Sequence, residues 1–285
     1  MKTKLNKNLT NIRNFLNLLR TENPTKEEIA NFLLELKTFV FNQYGLNEEY
    51  YDINIQFVHP KVLDYDEAQM DIDKNNGNKF TIYLSKEKLA GKNNLVKTKR
   101  TKENKKAEQT TENLTQQHNN RVSSVLTITQ SFLHELGHVI QYIRNPKRMK
   151  EEDDIKDTAY EVLADITFLL DNSRKKRLLL KALGKHINAM AYMAGPEKDA
   201  NRKCYIYFAN VLSVLLSAEQ DEEMIDFLCL LYMNINRAKK HNHKIYRQYS
   251  KENREAIDKL HDLKLEKELD EMTKKLINKN SNLIV

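Results

Sequence analysis

Apolar residues recur along this chain with two different periods, and the changes between them mark out its elements. Ile29, Phe32, Leu33, Leu36, Phe39 and Val40 stand at helical spacing. Thr25 and Glu28 have the separation of a capping box after Pro24, and Gly45 supplies a stop. Asp52-Ile53-Asn54-Ile55-Gln56-Phe57-Val58 instead alternates polar and apolar, the period of a half-buried strand. A second strand is predicted over residues 80–85, after the turn-forming Asn75-Asn76-Gly77. Helical spacing returns with Leu126, Ile128, Phe132, Leu133, Leu136, Val139, Ile140 and Ile143, and Pro146 ends that pattern. Ile155, Ala159, Val162, Ile166, Leu169 and Leu170 continue it in a next helix. Beyond residue 172 the pattern is wholly helical, over 178–191, 205–216, 224–235 and 254–277.

These elements predict a helix-rich α+β protein. Residues 1–172 form a core around a small sheet, and residues 173–285 a helical C-terminal region packed on it. Only 6 Gly and 4 Pro in 285 residues agree with that helical bias. Cys204 and Cys229 lie in separate apolar helical patterns without CxxC spacing, so buried free thiols in a reducing compartment are expected. The basic N-terminus has no unbroken apolar run of a secretory leader, and the longest later run, 227–233, is far short of a membrane span. The expectation is a soluble, unexported, cytoplasmic protein with no membrane partner; nothing in the sequence speaks to oligomeric state.

The net charge of +7 is concentrated rather than spread. Residues 92–121 hold six Lys and two Arg against three Glu, with almost no apolar side chains, which predicts a mobile basic insertion. Its functional alternative is a docking arm for an acidic protein or a weak non-specific nucleic-acid contact. A nucleic-acid partner is not expected from this segment alone.

One pentapeptide bears on chemistry more than anything else: His134-Glu135-Leu136-Gly137-His138 is an HExxH motif in mid-helix. Chance would place HExxH in roughly two chains in a hundred of this composition, so the helical context has to support it. Residues four apart share one helix face about 5–6 Å apart, so both imidazoles can reach a single ion. A catalytic zinc ion takes three protein ligands and keeps one position for water, whose proton Glu135 is placed to remove. Gly137 costs a helix interior about 1 kcal/mol relative to alanine, which a close-packed neighbour would explain.

The third ligand should come from a second element. Glu161, 23 residues after His138, is the candidate, and Asp165 one turn later suits an outer position orienting a ligand histidine. The plain alternative for both carboxylates is a solvated acidic face. Tyr142, one turn after His138, and Tyr160, beside Glu161, are possible donors to a developing oxyanion. His241 and His243 read as surface residues, and His186, near Leu183, Ile187 and Met190, as a structural histidine.

HELGH followed by Glu161, Ala164, Asp165 and Phe168 resembles the gluzincin branch of the zincin metallopeptidases, and within it the ImmA/IrrE family, whose members carry HELGH and then an E-x-x-A-[ND] stretch with an aromatic shortly after. The resemblance covers roughly residues 80–172. It implies a zincin-like core, one Zn²⁺ per chain held by His134, His138 and Glu161, and Glu135 as the base. It also implies a strand whose edge pairs with an extended substrate, here Phe80, Thr81, Ile82, Tyr83, Leu84 and Ser85. The expected function is hydrolysis of peptide bonds in an intracellular protein or peptide, an acidic one if the basic segment docks it. Two other classes remain open: a regulatory binding protein on a zincin scaffold, and a nucleic-acid-associated protein of a mobile element.

Overall fold

The computed structural model describes residues 2–63, 66–73, 75–87, 108–151, 154, 158, 161, 178, 181–186, 189 and 195–262. Helix α1 (Lys2–Thr21) and helix α2 (Lys26–Tyr44) come first. Strands β1 (Asp52–Val58), β2 (Ala68–Ile72) and β3 (Lys79–Ser85) follow. Three long helices follow, α3 (Glu108–Arg144), α4 (Gly195–Ala218) and α5 (Glu222–Asp262), and residues 146–151, 154, 158, 161, 178, 181–186 and 189, between α3 and α4, are helical as well. This is a helix-rich α+β arrangement with one small mixed sheet. Among the described residues, no helix is long and apolar enough to cross a membrane.

Helix α2 forms as its pattern predicts. Thr25 and Glu28 close the capping box, Gly45 ends the helix at a φ of 65°, and Ile29, Phe32, Leu33, Leu36, Phe39 and Val40 are all buried. Helix α1 is amphipathic despite its basic composition. Ile12, Phe15, Leu16 and Leu19 bury one stripe, and Phe15 stacks on Phe32 with ring centroids 4.1 Å apart.

Spatial order in the sheet is β1-β3-β2, with β1 parallel and β2 antiparallel to β3. The register aligns three apolar rows on one face: Ile53–Phe80–Ile72, Ile55–Ile82–Met70 and Phe57–Leu84–Ala68. Phe80, Ile82 and Leu84 at the centre of those rows are essentially inaccessible, whereas Asp52, Asn54, Gln69, Asp71 and Lys79 of the opposite face are exposed. Side chains that alternate with period two need only one covering layer. Helix α3 contributes to it, with Tyr142 edge-on to Phe80 at 6.1 Å between centroids.

Chain order does not predict strand order here, and one expectation is corrected accordingly. Strand β3 is the middle strand and pairs along both sides, so Phe80, Thr81, Ile82, Tyr83, Leu84 and Ser85 offer no open edge to a substrate. The basic segment at 92–121 is also revised in part. Residues 108–121 are the first turns of α3, and residues 92–107 lie outside the described residues. Cys204 is buried as expected, which pushes its thiol up to about 12, but Cys229 is exposed.

The chain separates into two compact units, one of residues 1–143 with 199–239 and the other of 144–198 with 240–285. The expected partition at residue 172 differs because α4, from Asp199 onward, returns to the unit that contains most of α3. In the second unit His186 Nδ1 pairs with Asn253 Oδ1, a structural role as its sequence context suggests. His241 and His243 are exposed.

Candidate metal centre

Helix α3 holds the motif by burying everything around its polar face. Phe132, Leu133, Leu136, Val139 and Ile140 are each at most 1% exposed, fixing the helix's rotation. His134 is then half-buried, and Glu135 and His138 are buried at 8% and 9% exposure. Polar side chains that deep require partners, and Nε2 of each histidine finds the other. The two imidazoles meet edge to face, with Nε2 of His134 and Nε2 of His138 3.1 Å apart. Two nitrogens bound tetrahedrally to one zinc at 2.0–2.1 Å would lie about 3.3 Å apart, so the pair already has the separation an ion demands.

The third member of the group is Glu197. Ligand atoms of His134, His138 and Glu197 all lie within 4.8 Å of one another. Two histidines and one carboxylate, from two helices, are a donor set that suits a divalent metal. Glu197 stands in the first turn of α4, three residues before Ala200, on an unbroken helix whose body from Asp199 belongs with α3.

The approach of α4 explains the glycine of the motif. A Cβ built on Gly137 would sit 3.3 Å from both Cα and Cβ of Ala200, tighter than ordinary van der Waals contact, and Ala200 is fully buried. Absence of a side chain at 137 thus sets how close the helices come. One turn back along α4 from that contact is Glu197.

Beyond the histidines the polar contacts continue outward. His138 Nδ1 is 3.0 Å from Gln141 Oε1, and Gln141 Nε2 donates to Asp199 Oδ2 at 3.1 Å. Asp199 is also paired with Lys203 Nζ at 2.5 Å and Arg202 at 3.9 Å. Burial raises the Asp199 carboxyl, but hydrogen bonds from Lys203 and Gln141, with the charges of Lys203 and Arg202, outweigh it and leave the group below its ordinary value. Glu135 stands apart from the ligand group, its Oε1 4.0 Å from His134 Nε2.

The structure therefore groups His134 and His138 with Glu197. Glu161 is helical and exposed, and it is not in the group. Asp165 and Tyr160 lie outside the described residues. Tyr142 is half-buried, with its ring packed on Phe80. Sequence reasoning missed Glu197, Gln141 and Asp199, although a signal for the first was present. The pattern E-x-x-A-[ND] read at Glu161 occurs again at Glu197-Lys198-Asp199-Ala200-Asn201, with Tyr205, Tyr207 and Phe208 following.

Compared with protein-family models, with curated proteins and with solved structures, the chain matches none.

Proposed function

We propose that this chain is a zinc-dependent endopeptidase with a zincin-type core, a gluzincin most like the ImmA/IrrE proteins, acting on a protein or peptide inside the cell. One observation carries the reading. Two imidazoles four residues apart and a carboxylate from another helix converge, and a second carboxylate, Glu135, is buried beside them without joining the group. His134, His138 and Glu197 would hold one Zn²⁺, with Glu197 in the place first assigned to Glu161. When bound by three protein groups, zinc supplies a Lewis acid and lowers the pKa of water toward about 7.

Glu135 is the base in this reading. It takes a proton from the attacking water and passes it to the departing amine nitrogen, so one carboxylate serves both halves of the reaction. An extended substrate would pair with an outer strand, since β3 is enclosed. Strand β2 suits best: Glu67, just ahead of it, accepts a hydrogen bond from Ser131 Oγ at 3.4 Å, one turn before His134.

Glu135→Gln tests the enzyme claim. It keeps the size of the side chain and removes its basicity, so zinc content and thermal stability should match wild type. Hydrolysis of a partner captured by the variant should fall by about 10²–10⁴-fold. Undiminished cleavage by the variant would remove Glu135 as base. A wild-type chain that binds zinc and partner but cleaves nothing would turn the reading to a regulatory protein on the same scaffold.

A further inference from the structure

We infer that Gln141, Asp199 and Lys203 form a positioning relay that locks the His138 imidazole in the tautomer with its proton on Nδ1, leaving the Nε2 lone pair facing His134 and Glu197. The relay's effect on metal affinity rests on the metal-centre reading above; the relay itself does not.

Donor and acceptor roles determine the result, starting from its outer end. A carboxylate can only accept, and Asp199 is paired with the cations of Lys203 and Arg202. Its contact with Gln141 at 3.1 Å must then be an amide N–H donating, which turns the nitrogen of Gln141 to Asp199 and its oxygen to His138. That oxygen has no proton, so His138 Nδ1, 3.0 Å away, must supply one. A neutral imidazole has only one N–H, and Nε2 is left as an acceptor. Nε2 is the atom 3.1 Å from His134 Nε2.

The sequence spacing makes this arrangement easy to build. His138 and Gln141 are three apart on α3, Asp199 and Lys203 four apart on α4, and each separation puts neighbours on one helix face. The two halves meet where Gly137 admits Ala200. Metal-binding histidines commonly give their other N–H to a carboxylate, and here a glutamine is interposed. Asp199 is moreover not the position the E-x-x-A-[ND] pattern singles out, which is Asn201.

The tautomer can be read directly by long-range ¹H–¹⁵N NMR on the metal-free full chain at about pH 8, above the ordinary imidazole value of about 6.5. Wild-type His138 should show its proton on Nδ1. Gln141→Leu should release the ring to a mixture or to the Nε2–H form while circular dichroism stays unchanged. The double variant Gln141→Glu with Asp199→Asn, in which a carboxylate accepts from the ring and an amide supports it, should restore the Nδ1–H form. If Gln141→Leu does not fold, Asp199→Ala, which frees the amide to turn over, is read in the same way.

Zinc affinity by chelator competition should follow the tautomer: about 10–100-fold weaker in Gln141→Leu and near wild type in the double variant. A wild-type ring protonated on Nε2, or a tautomer unmoved by Gln141→Leu, overturns the relay whatever zinc does. An Nδ1–H ring in a wild-type chain that takes up no zinc would leave the relay standing and refute the metal centre.

Discussion

Residues 161–165 and 197–201 carry the same string, a glutamate, two variable positions, an alanine and then Asp or Asn, yet their glutamates stand in different surroundings. Glu161 is exposed on its helix, whereas Glu197 is half-buried in the first turn of α4 with a carboxylate atom in reach of both motif histidines. The string does not distinguish them. Beside Glu197, the alanine three residues later is fully buried against the one position of α3 that has no side chain. A short pattern nominates candidates, and a complementary small residue elsewhere selects among them.

The largest effect that could break this comparison is on metal retention. Glu197→Ala should weaken zinc binding by more than about 100-fold, beyond the loss typical of groups that only support a ligand, whereas Glu161→Ala should leave it unchanged. Chelator competition on the two variants decides it, and the reverse order would return the third-ligand role to Glu161.

Next in size is the helix contact. Gly137→Leu forces several atoms toward Ala200 and should cost about 1–3 kcal/mol in urea unfolding, together with much of the zinc affinity. Gly137→Ala should do far less, because about 1 kcal/mol gained in helix propensity offsets the crowding. Adding Ala200→Gly to Gly137→Ala should recover zinc affinity, and a failure to recover it would show that the helix separation does not govern the site.

A third glutamate sharpens the comparison with the smallest effect. Glu219 is held by Arg13 of α1 rather than by histidines, and the hydrogen bond from that guanidinium lowers its carboxyl from the ordinary 4.5 to about 2. A depressed folded-state value means that the stabilisation is present above about pH 4.5 and is lost as pH falls toward 2. Urea midpoints across that window should fall in wild type and be flatter in Glu219→Gln. Equal slopes would mean the ion pair adds nothing on folding.

Much of the fold was legible because local and long-range signals agreed. Helix α2 had a cap, a stripe and a stop, and β1 and β3 had clean alternation ending in turn residues. Helix α1 escaped because its four buried positions are diluted by Lys, Asn and Arg, and β2 because five residues with an Asp and a Gln form a weak alternation. Helix α5 is continuous where the pattern predicts separate helices over 224–235 and 254–277, because residues 236–253 carry mostly polar side chains; residues 263–277 lie outside the described residues. The enclosed position of β3 was not readable at all, since strand order depends on a crossover that periodicity does not record. In the candidate site, the approach of the two histidines follows from spacing within one helix, but the carboxylate beside them depends on which segment returns to α3.

Helix α4 also works as a gauge. Glu197 and Ala200 are separated by three residues, about 4.5 Å of rise and 300° of turn, so the contact at Gly137 measures out where the carboxylate stands. A single residue inserted between them would swing Glu197 by about 100° and move it about 1.5 Å, and a whole added turn would restore the direction but shift it by about 5.4 Å. A change of length in this turn would displace the carboxylate however its neighbours repack.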